Sequence, residues 1–439
     1  MKRIIFISVV CCVCAVTNAV AQLRMASLQD VWGYADTHNI QLQAANAGKE
    51  TATIAVKQAK GAVLPSVSVN GVFTDNIKIQ PTLIPANLFN PAAPAGTYTE
   101  ATFGRRYIYN GSMNVQFDLI NTKDWFSIKA AKLNNEMASL RLATQKQLLY
   151  EQLANAYYTY VLLNEAEKLF AENANAADKS YQAANNKFKE GLISEITLNT
   201  ALINKEKAKK ALAATVENKS LQLYTLQSIL NTTDSIVITE ELQDVHPIVA
   251  NNNFAIDPNV RLADIQLQAF KNEWKSSKAA FAPTLSAVYQ YNTQVAADEF
   301  LKFSNSNTMP QQYWGLRLSI PVFSGNSRKY EVQKAKIDYN LKQKEAESTR
   351  LQADITNHTV LLAYNSSVTT YIQSKKILFL YQSNDTHAER RLNEGIISLD
   401  ERLKVYADLI SNQNEYLQSL SDYLIQQYRL QIRQTNFIK

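Results

Sequence analysis

Beyond Cys14 the chain contains no cysteine; the three that occur, Cys11, Cys12 and Cys14, lie together near its start. A chain with no other thiol depends on no disulfide and performs no thiol chemistry. Glycine and proline are scarce, 11 and 10 in 439 residues, so long stretches lack both strong helix breakers. No apolar run of about 18 residues occurs, which excludes a transmembrane helix. Charge is nearly balanced, 45 Lys and Arg against 39 Asp and Glu, which argues against a nucleic-acid partner. The four histidines, His38, His246, His358 and His387, have no histidine at i+3 or i+4, so no metal site is indicated. Walker loop, nucleophile elbow and zinc-helix motifs are all missing. Neither catalytic residues nor a cofactor is expected, and the chain reads as a non-enzyme.

The start reads as an export signal. Lys2 and Arg3 precede the apolar residues 4–16, and Ala19-Val20-Ala21 is a small-x-small cleavage site. A signal peptide over 1–21 is expected, with Gln22 beginning the mature protein. Val10 and Val13, before Cys11 and Cys14, are bulky and disfavour lipid attachment there.

What is present is a repeat. Glu190-Gly191-Leu192-Ile193-Ser194 returns as Glu394-Gly395-Ile396-Ile397-Ser398. Residues 128–133 (IKAAKL) return as 332–337 (VQKAKI) at the same separation, and Pro65 answers to Pro283. Each half reads as helix, proline, strand, loop, strand, very long helix, Glu-Gly turn and helix. The first repeat is expected over 22–230 and the second over 258–439. Between them lies a polar linker, 231–257, with a strand-like stretch at 235–239.

In the first repeat, residues 28–60 read as one helix, with Ser27 as N-cap and an end near Gly61. A β-hairpin follows over about 65–119. There Tyr107, Tyr109, Gly111, Met113, Val115, Phe117 and Leu119 alternate with residues that are polar except for Ile108. The second hairpin, about 283–323, repeats the pattern in Trp314, Leu316, Leu318, Ile320 and Val322. Such length and alternation suit a tilted membrane strand. The lipid-facing set is therefore Tyr107, Tyr109, Val115, Phe117, Trp314, Leu316, Leu318 and Ile320, with the aromatics as interfacial girdles. The loops 75–106 and 293–311, rich in Pro or in Asn and Ser, are expected to be irregular.

From Thr122 to about Lys189 and from Ser327 to about Asn393 neither proline nor glycine occurs. Each stretch is helix-compatible over a length on the order of 100 Å. Helices of the second rank follow, from Ser194 and from Ser398. In the last, Leu403, Tyr406, Ile410, Leu417, Leu420 and Leu424, with Gln413 in the one gap, form a heptad seam. Four strands with one apolar face cannot close in lipid, where every backbone group must be paired. The chain must contribute to a shared barrel, and three copies would supply twelve strands. The charged helices must lie outside the membrane, as a coiled-coil tube.

Taken in order, these residues resemble the TolC-like outer-membrane efflux proteins. The resemblance rests on Leu28-x-x-Val31-x-x-Tyr34-Ala35 with Asn39-Ile40, the Leu64-Pro65 strand entry, Pro321-Val322-Phe323-Ser324-Gly325 and both Glu-Gly turns. It implies a mixed α and β membrane protein: a homotrimer with a 12-stranded outer-membrane barrel, four strands per chain, continued by a periplasmic α-helical coiled-coil barrel. It implies a passive exit duct of a tripartite efflux or type I secretion system in a Gram-negative outer membrane. The partners implied are outer-membrane lipid, a periplasmic membrane-fusion adaptor and an inner-membrane pump.

Gly191 and Gly395 are explained as helix breaks alone; the resemblance adds adaptor docking at Gly191, Leu192, Ile193, Gly395, Ile396 and Ile397. It also implies an acidic periplasmic aperture near the second turn. Counting from Gly395 places its positions near Glu401 and Lys404, with Glu195 and Asp400 as further acidic candidates. Arg402 belongs either to a gate of interhelical ion pairs there or to a solvated helix face. The first repeat departs from the pattern at its strand exit, where Asp118 stands in the place of Pro321. A secreted or surface coiled-coil protein without a transport role is the rival reading; it explains the helices but not the alternating strands.

Overall fold

The computed structural model describes residues 22–240 and 252–438. The expected signal peptide lies outside the described residues, as do His246 and part of the 231–257 linker. Two compact units result. One comprises the described residues up to Ala47, those within Leu140–Val260 and those from Arg350 onward; the other is Gly48–Ser139 with Arg261–Thr349.

Strand β1 (Gln22–Met25) opens the chain, followed by α1 (Leu28–His38) and α2 (Ile40–Gly61). Ser27 caps α1 as expected: its Oγ accepts from the Asp30 N–H at 3.3 Å, and the Ser27 N–H donates to the Asp30 carboxylate at 3.0 Å. The single helix expected over 28–60 is broken at Asn39. That buried residue leaves the helical region, with ψ 121. Its amide donates to the Ile229 carbonyl at 2.7 Å, and its Oδ1 accepts from the Leu42 N–H at 3.0 Å. An Asn side chain that substitutes for helical backbone partners makes such a break cheap.

Strands β2 (Ser66–Asp75), β3 (Pro81–Pro85), β4 (Tyr98–Thr102) and β5 (Tyr107–Ile120) follow. The 75–106 loop is thus not irregular throughout, because β3 and β4 pair as a hairpin. Pro81 and Pro85 occupy the two ends of β3, where a missing N–H is tolerated. Next come α3 (Thr122–Lys189), α4 (Glu195–Leu230), β6 (Ser235–Ile238) and α5 (Pro258–Ala279). The last elements are β7 (Thr284–Ala297), β8 (Asn307–Ser319), α6 (Ser327–Asn393) and α7 (Leu399–Gln434). The second hairpin pairs further than its sequence suggests: 293–297 and 307–311 are strand, and Pro310 is accommodated on the outermost strand.

In the second unit, β2-β5-β7-β8 form one antiparallel sheet in that order. α5 runs beside α3 and α6, with the Asn272 amide donating to the Phe126 carbonyl at 3.0 Å and Trp274 stacked on Tyr339.

In the first unit, β1 pairs in parallel with β6, which falls on the strand-like stretch of the linker. The core around it is rich in tyrosine: Tyr157, Tyr158, Tyr364, Tyr371 and Tyr423 are all buried among leucines and valines. Burial drives the Tyr157 and Tyr158 phenols well above their ordinary value, so both remain protonated. The expected α7 seam buries Leu403, Tyr406, Gln413, Leu420 and Leu424, while Leu409 is buried beside a half-buried Ile410 and Leu417 is also half-buried.

Gln413, the polar residue of that seam, is buried and accepts from the Asn173 amide at 2.7 Å. The Tyr406 hydroxyl, held up to about 12 chiefly by burial, donates to the Asn173 carbonyl at 3.1 Å. A buried amide pair between two helices fixes their register, since any slip leaves both amides unsatisfied. Gln413→Leu is expected to destabilise the protein by about 1–3 kcal/mol, because the Asn173 amide loses its partner. Adding Asn173→Leu is expected to restore most of that stability. Thermal melts of the single and double variants check this, with non-additivity as the signature.

Candidate functional site

Each long helix ends in the same turn. At the first, Gly191 takes φ +74; its N–H donates to the Phe188 carbonyl at 2.9 Å and the Leu192 N–H to the Lys187 carbonyl at 2.9 Å. The second reproduces it: Gly395 has φ +74, with bonds from Gly395 to Leu392 at 3.1 Å and from Ile396 to Arg391 at 2.8 Å. This bond pair is the Schellman ending, which needs a left-handed residue and so favours glycine. Ser194 and Ser398 then start the return helices, their hydroxyls accepting from the Thr197 and Glu401 N–H groups, both at 3.2 Å.

The expected docking residues divide in two. Leu192 and Ile396 project into solvent, 67% and 58% exposed. Ile193 packs against Ala184, Ala201 and Leu403, and Ile397 is 9% exposed. Ile196 joins the exposed pair at 78%. Nothing in its spacing distinguishes it from a seam residue, so the sequence alone does not single it out. The two tips lie side by side, because the Thr197 hydroxyl donates to the Asp400 carboxylate at 2.9 Å.

Among the expected aperture residues, Glu195 and Glu401 are exposed, and Glu401 borders an open groove of about 250 Å³ with His387, Arg391 and Asp408. Asp400 is engaged by Thr197. Arg402 turns into the α6–α7 hairpin, where it grips Asp385 through two bonds of 2.6 and 3.3 Å and lies over the Tyr406 ring. Burial raises the Asp385 carboxyl above the ordinary aspartate value, against the pull of Arg402. A carboxyl raised in the folded state binds its proton more tightly there than when unfolded. On acidification Asp385 therefore protonates ahead of exposed aspartates, favouring the folded protonated form while releasing Arg402. The stability contributed through Asp385 is therefore expected to rise as pH falls into the carboxylate range, and thermal melts of Asp385→Asn against the wild type are expected to show that contribution gone.

The sheet sorts its residues by face. Register sets Val67, Val69 and Phe73 opposite Val115, Met113 and Tyr109, and continues through Tyr289 to Trp314 and through Leu285 to Leu318. Tyr107, Tyr109, Val115, Phe117, Trp314, Leu316 and Leu318 all fall on this apolar face, while Ile320 lies just beyond the end of β8. The opposite face carries Ser66, Ser68 and Asn70 beside Gln116, Asn114 and Ser112. At one end of the apolar face, Phe300 and Phe303 from the β7–β8 loop pack on Phe73, Tyr107 and Tyr109. Arg105 ties that loop down through Asp298 at 3.0 Å and the Asn305 carbonyl at 2.6 Å. Sequence alternation cannot reveal these loop aromatics, since they reach the face by folding back onto it.

Among the described residues no group of acidic, His or Cys side chains is arranged to hold a metal, and no helix is long and apolar enough to cross a membrane. The described residues do carry a sheet apolar on one face and polar on the other together with long paired helices, the elements expected above of a shared barrel and a coiled-coil tube.

The comparisons with known proteins agree. Residues 34–232 match the family model described as outer membrane efflux protein. No curated protein sequence matches the chain. Similar solved structures include the CmeC outer membrane channel of Campylobacter jejuni, 16% identical with a TM-score of 0.75 over 93% of this chain and 87% of that one. The outer membrane protein VceC of Vibrio cholerae is 15% identical with a TM-score of 0.75, over 93% and 96%. The MtrE outer membrane channel of Neisseria gonorrhoeae, in its open state, is 16% identical with a TM-score of 0.74, over 94% and 89%. At such identities the likeness establishes the fold. Residues 34–232 thus resemble the outer membrane efflux proteins in sequence, and the fold of the solved channels extends over more than nine-tenths of the chain.

Proposed function

We propose that three copies of this chain close a 12-stranded barrel in the outer membrane and form the passive exit duct of a tripartite export system. The observation that carries this is the four-stranded sheet itself. Its outer strands, β2 and β8, have no further strand beside them among the described residues. In lipid an open edge leaves a row of backbone groups unpaired, at several kcal/mol each, so edges must pair with other copies. Pairing β8 of one copy with β2 of the next turns every apolar face outward to lipid and every polar face to the lumen. The two halves carry matching long helices, 68 and 67 residues, each followed by one of 36. This supports the two-repeat division at 22–230 and 258–439.

The adaptor docks on the tips. Leu192, Ile196 and Ile396 are apolar and exposed around two rigid turns, and solvent-facing apolar clusters of this kind favour a partner. Glu195, Asp400 and Glu401 supply the acidic side chains of the periplasmic aperture. Mass measurement in detergent tests the assembly: a trimer is expected, and a stable monomer overturns the reading. Glu401→Lys is expected to reduce cation preference and divalent block in single-channel recordings. Unchanged recordings would remove Glu401 from the aperture.

A further inference from the structure

The polar face of the sheet is almost free of charge. β7 has no Asp, Glu, Lys, Arg or His in its length, and β2 offers only Ser66, Ser68, Asn70, Val72 and Thr74 on that face. Two charges remain, and they share one row: register aligns Asp118 of β5, Ser286 of β7 and Arg317 of β8. The Ser286 hydroxyl donates to Asp118 at 2.7 Å, which places the row on the polar side.

The two charges are not equivalent. Asp118 is committed to shaping the strand exit. It accepts from Ser286, from the Gln116 amide at 3.1 Å and from the Asn121 amide at 3.1 Å. The β5–β7 register shifts immediately after it, and the Asn121 Oδ1 accepts from the Lys123 N–H at 3.2 Å as α3 begins. Arg317 is exposed, makes no ion pair among the described residues, and stands two strands from Asp118. Two strand spacings are about 10 Å between backbones. The same-face neighbours of Arg317 along β8 are neutral: Gly315 carries no side chain, and the Tyr313 hydroxyl donates to Gln290.

Closure does not neutralise the guanidinium either. Resting on the trimeric-duct reading above, the strand beside β8 is β2 of the next copy, whose polar face carries no charge. We infer that Arg317 is a cargo-contacting, specificity-determining residue of the lumen, recognising carboxylate or phosphate groups on passing solutes. A guanidinium presents a planar fork of donors that matches such oxyanions and stays charged at every working pH. Three copies set three such forks around one level of the barrel, separated by carboxylates already engaged. A wide, hydrated lumen keeps the contact weak, which suits transit rather than retention.

The test uses the purified full-length trimer in planar bilayers at low salt, where screening is least. Reversal potential in a KCl gradient reads ion preference, and citrate added on the extracellular side reads block by a carboxylate. Arg317→Gln is expected to shift the reversal potential toward cation preference and to lose citrate block. Arg317→Lys, which keeps the charge without the fork, is expected to hold the reversal potential and weaken the block. Wild-type reversal potential and block in both variants, with normal conductance, would overturn the role of Arg317. Wild-type trimers that conduct no ions would instead overturn the duct reading on which it rests.

Discussion

A lysine at Val69 or Val115 is expected to abolish trimer yield in the outer membrane, whereas Asn114→Lys is expected to be tolerated. Val69 pairs with Met113 near the middle of β2 and β5, is 76% exposed and lies on the apolar face. Val115, two rows away on the same face, pairs with Val67 on one side and Tyr289 on the other. In the closed barrel both face lipid close to the midplane, where a lysine costs about 2–4 kcal/mol per copy. Three copies carry the substitution together, so the penalty rivals the whole stability of a typical domain. Asn114 pairs with Ser68 and Gln290 on the polar face, and its side chain meets water. Heat-modifiable trimer in the outer-membrane fraction is the measurement. Equal behaviour of the two classes would invert or remove the assignment of faces.

That contrast was legible in the sequence because a strand's period of two leaves an unambiguous mark. The interruptions at Ile108 and Val288 are single and do not shift it. The long helices were legible for a different reason: their stretches contain nothing that ends a helix until the Glu-Gly turns. What the sequence did not disclose depends on distant partners. Asn39 is an ordinary polar residue in a helical pattern until the Ile229 carbonyl arrives from α4 to receive its amide. Pairing within 81–102 needs two short segments to meet across a proline-rich turn, and neither alone reads as a strand. The same limit applies at the tips. Gly191 and Gly395 announce themselves, but which of Leu192, Ile193, Ile196, Ile396 and Ile397 face outward follows from how neighbouring helices cover them. Arg402, read from position alone as a gate or surface charge, is committed to Asp385 within its own hairpin.

The tips also carry the second large effect: Gly395→Trp is expected to abolish export while leaving trimer yield normal. Gly395 adopts φ +74, a conformation that costs an L-residue roughly 1–2 kcal/mol. Space is not the obstacle, since a Cβ built there meets nothing within 4 Å. The penalty is therefore local and modest, too small to unfold helices of 67 and 36 residues joined by the buried seam of Leu403, Tyr406 and Leu409. What changes is the surface that a partner must meet. An indole at the bend adds bulk to the open space beside the exposed Ile396. A seal against the tip requires close apolar contact, which a bulky intruder prevents even where the backbone holds. Gly191→Trp is expected to act in the same way through Leu192 and Ile196. Ser398→Gly supplies the control, because it weakens the α7 cap while adding no bulk at the tip. Cargo efflux from whole cells and crosslinking of the tip to its adaptor are the paired measurements. A Gly395→Trp trimer that still exports and still crosslinks would reduce both turns to helix breaks and move the docking surface elsewhere on the helices.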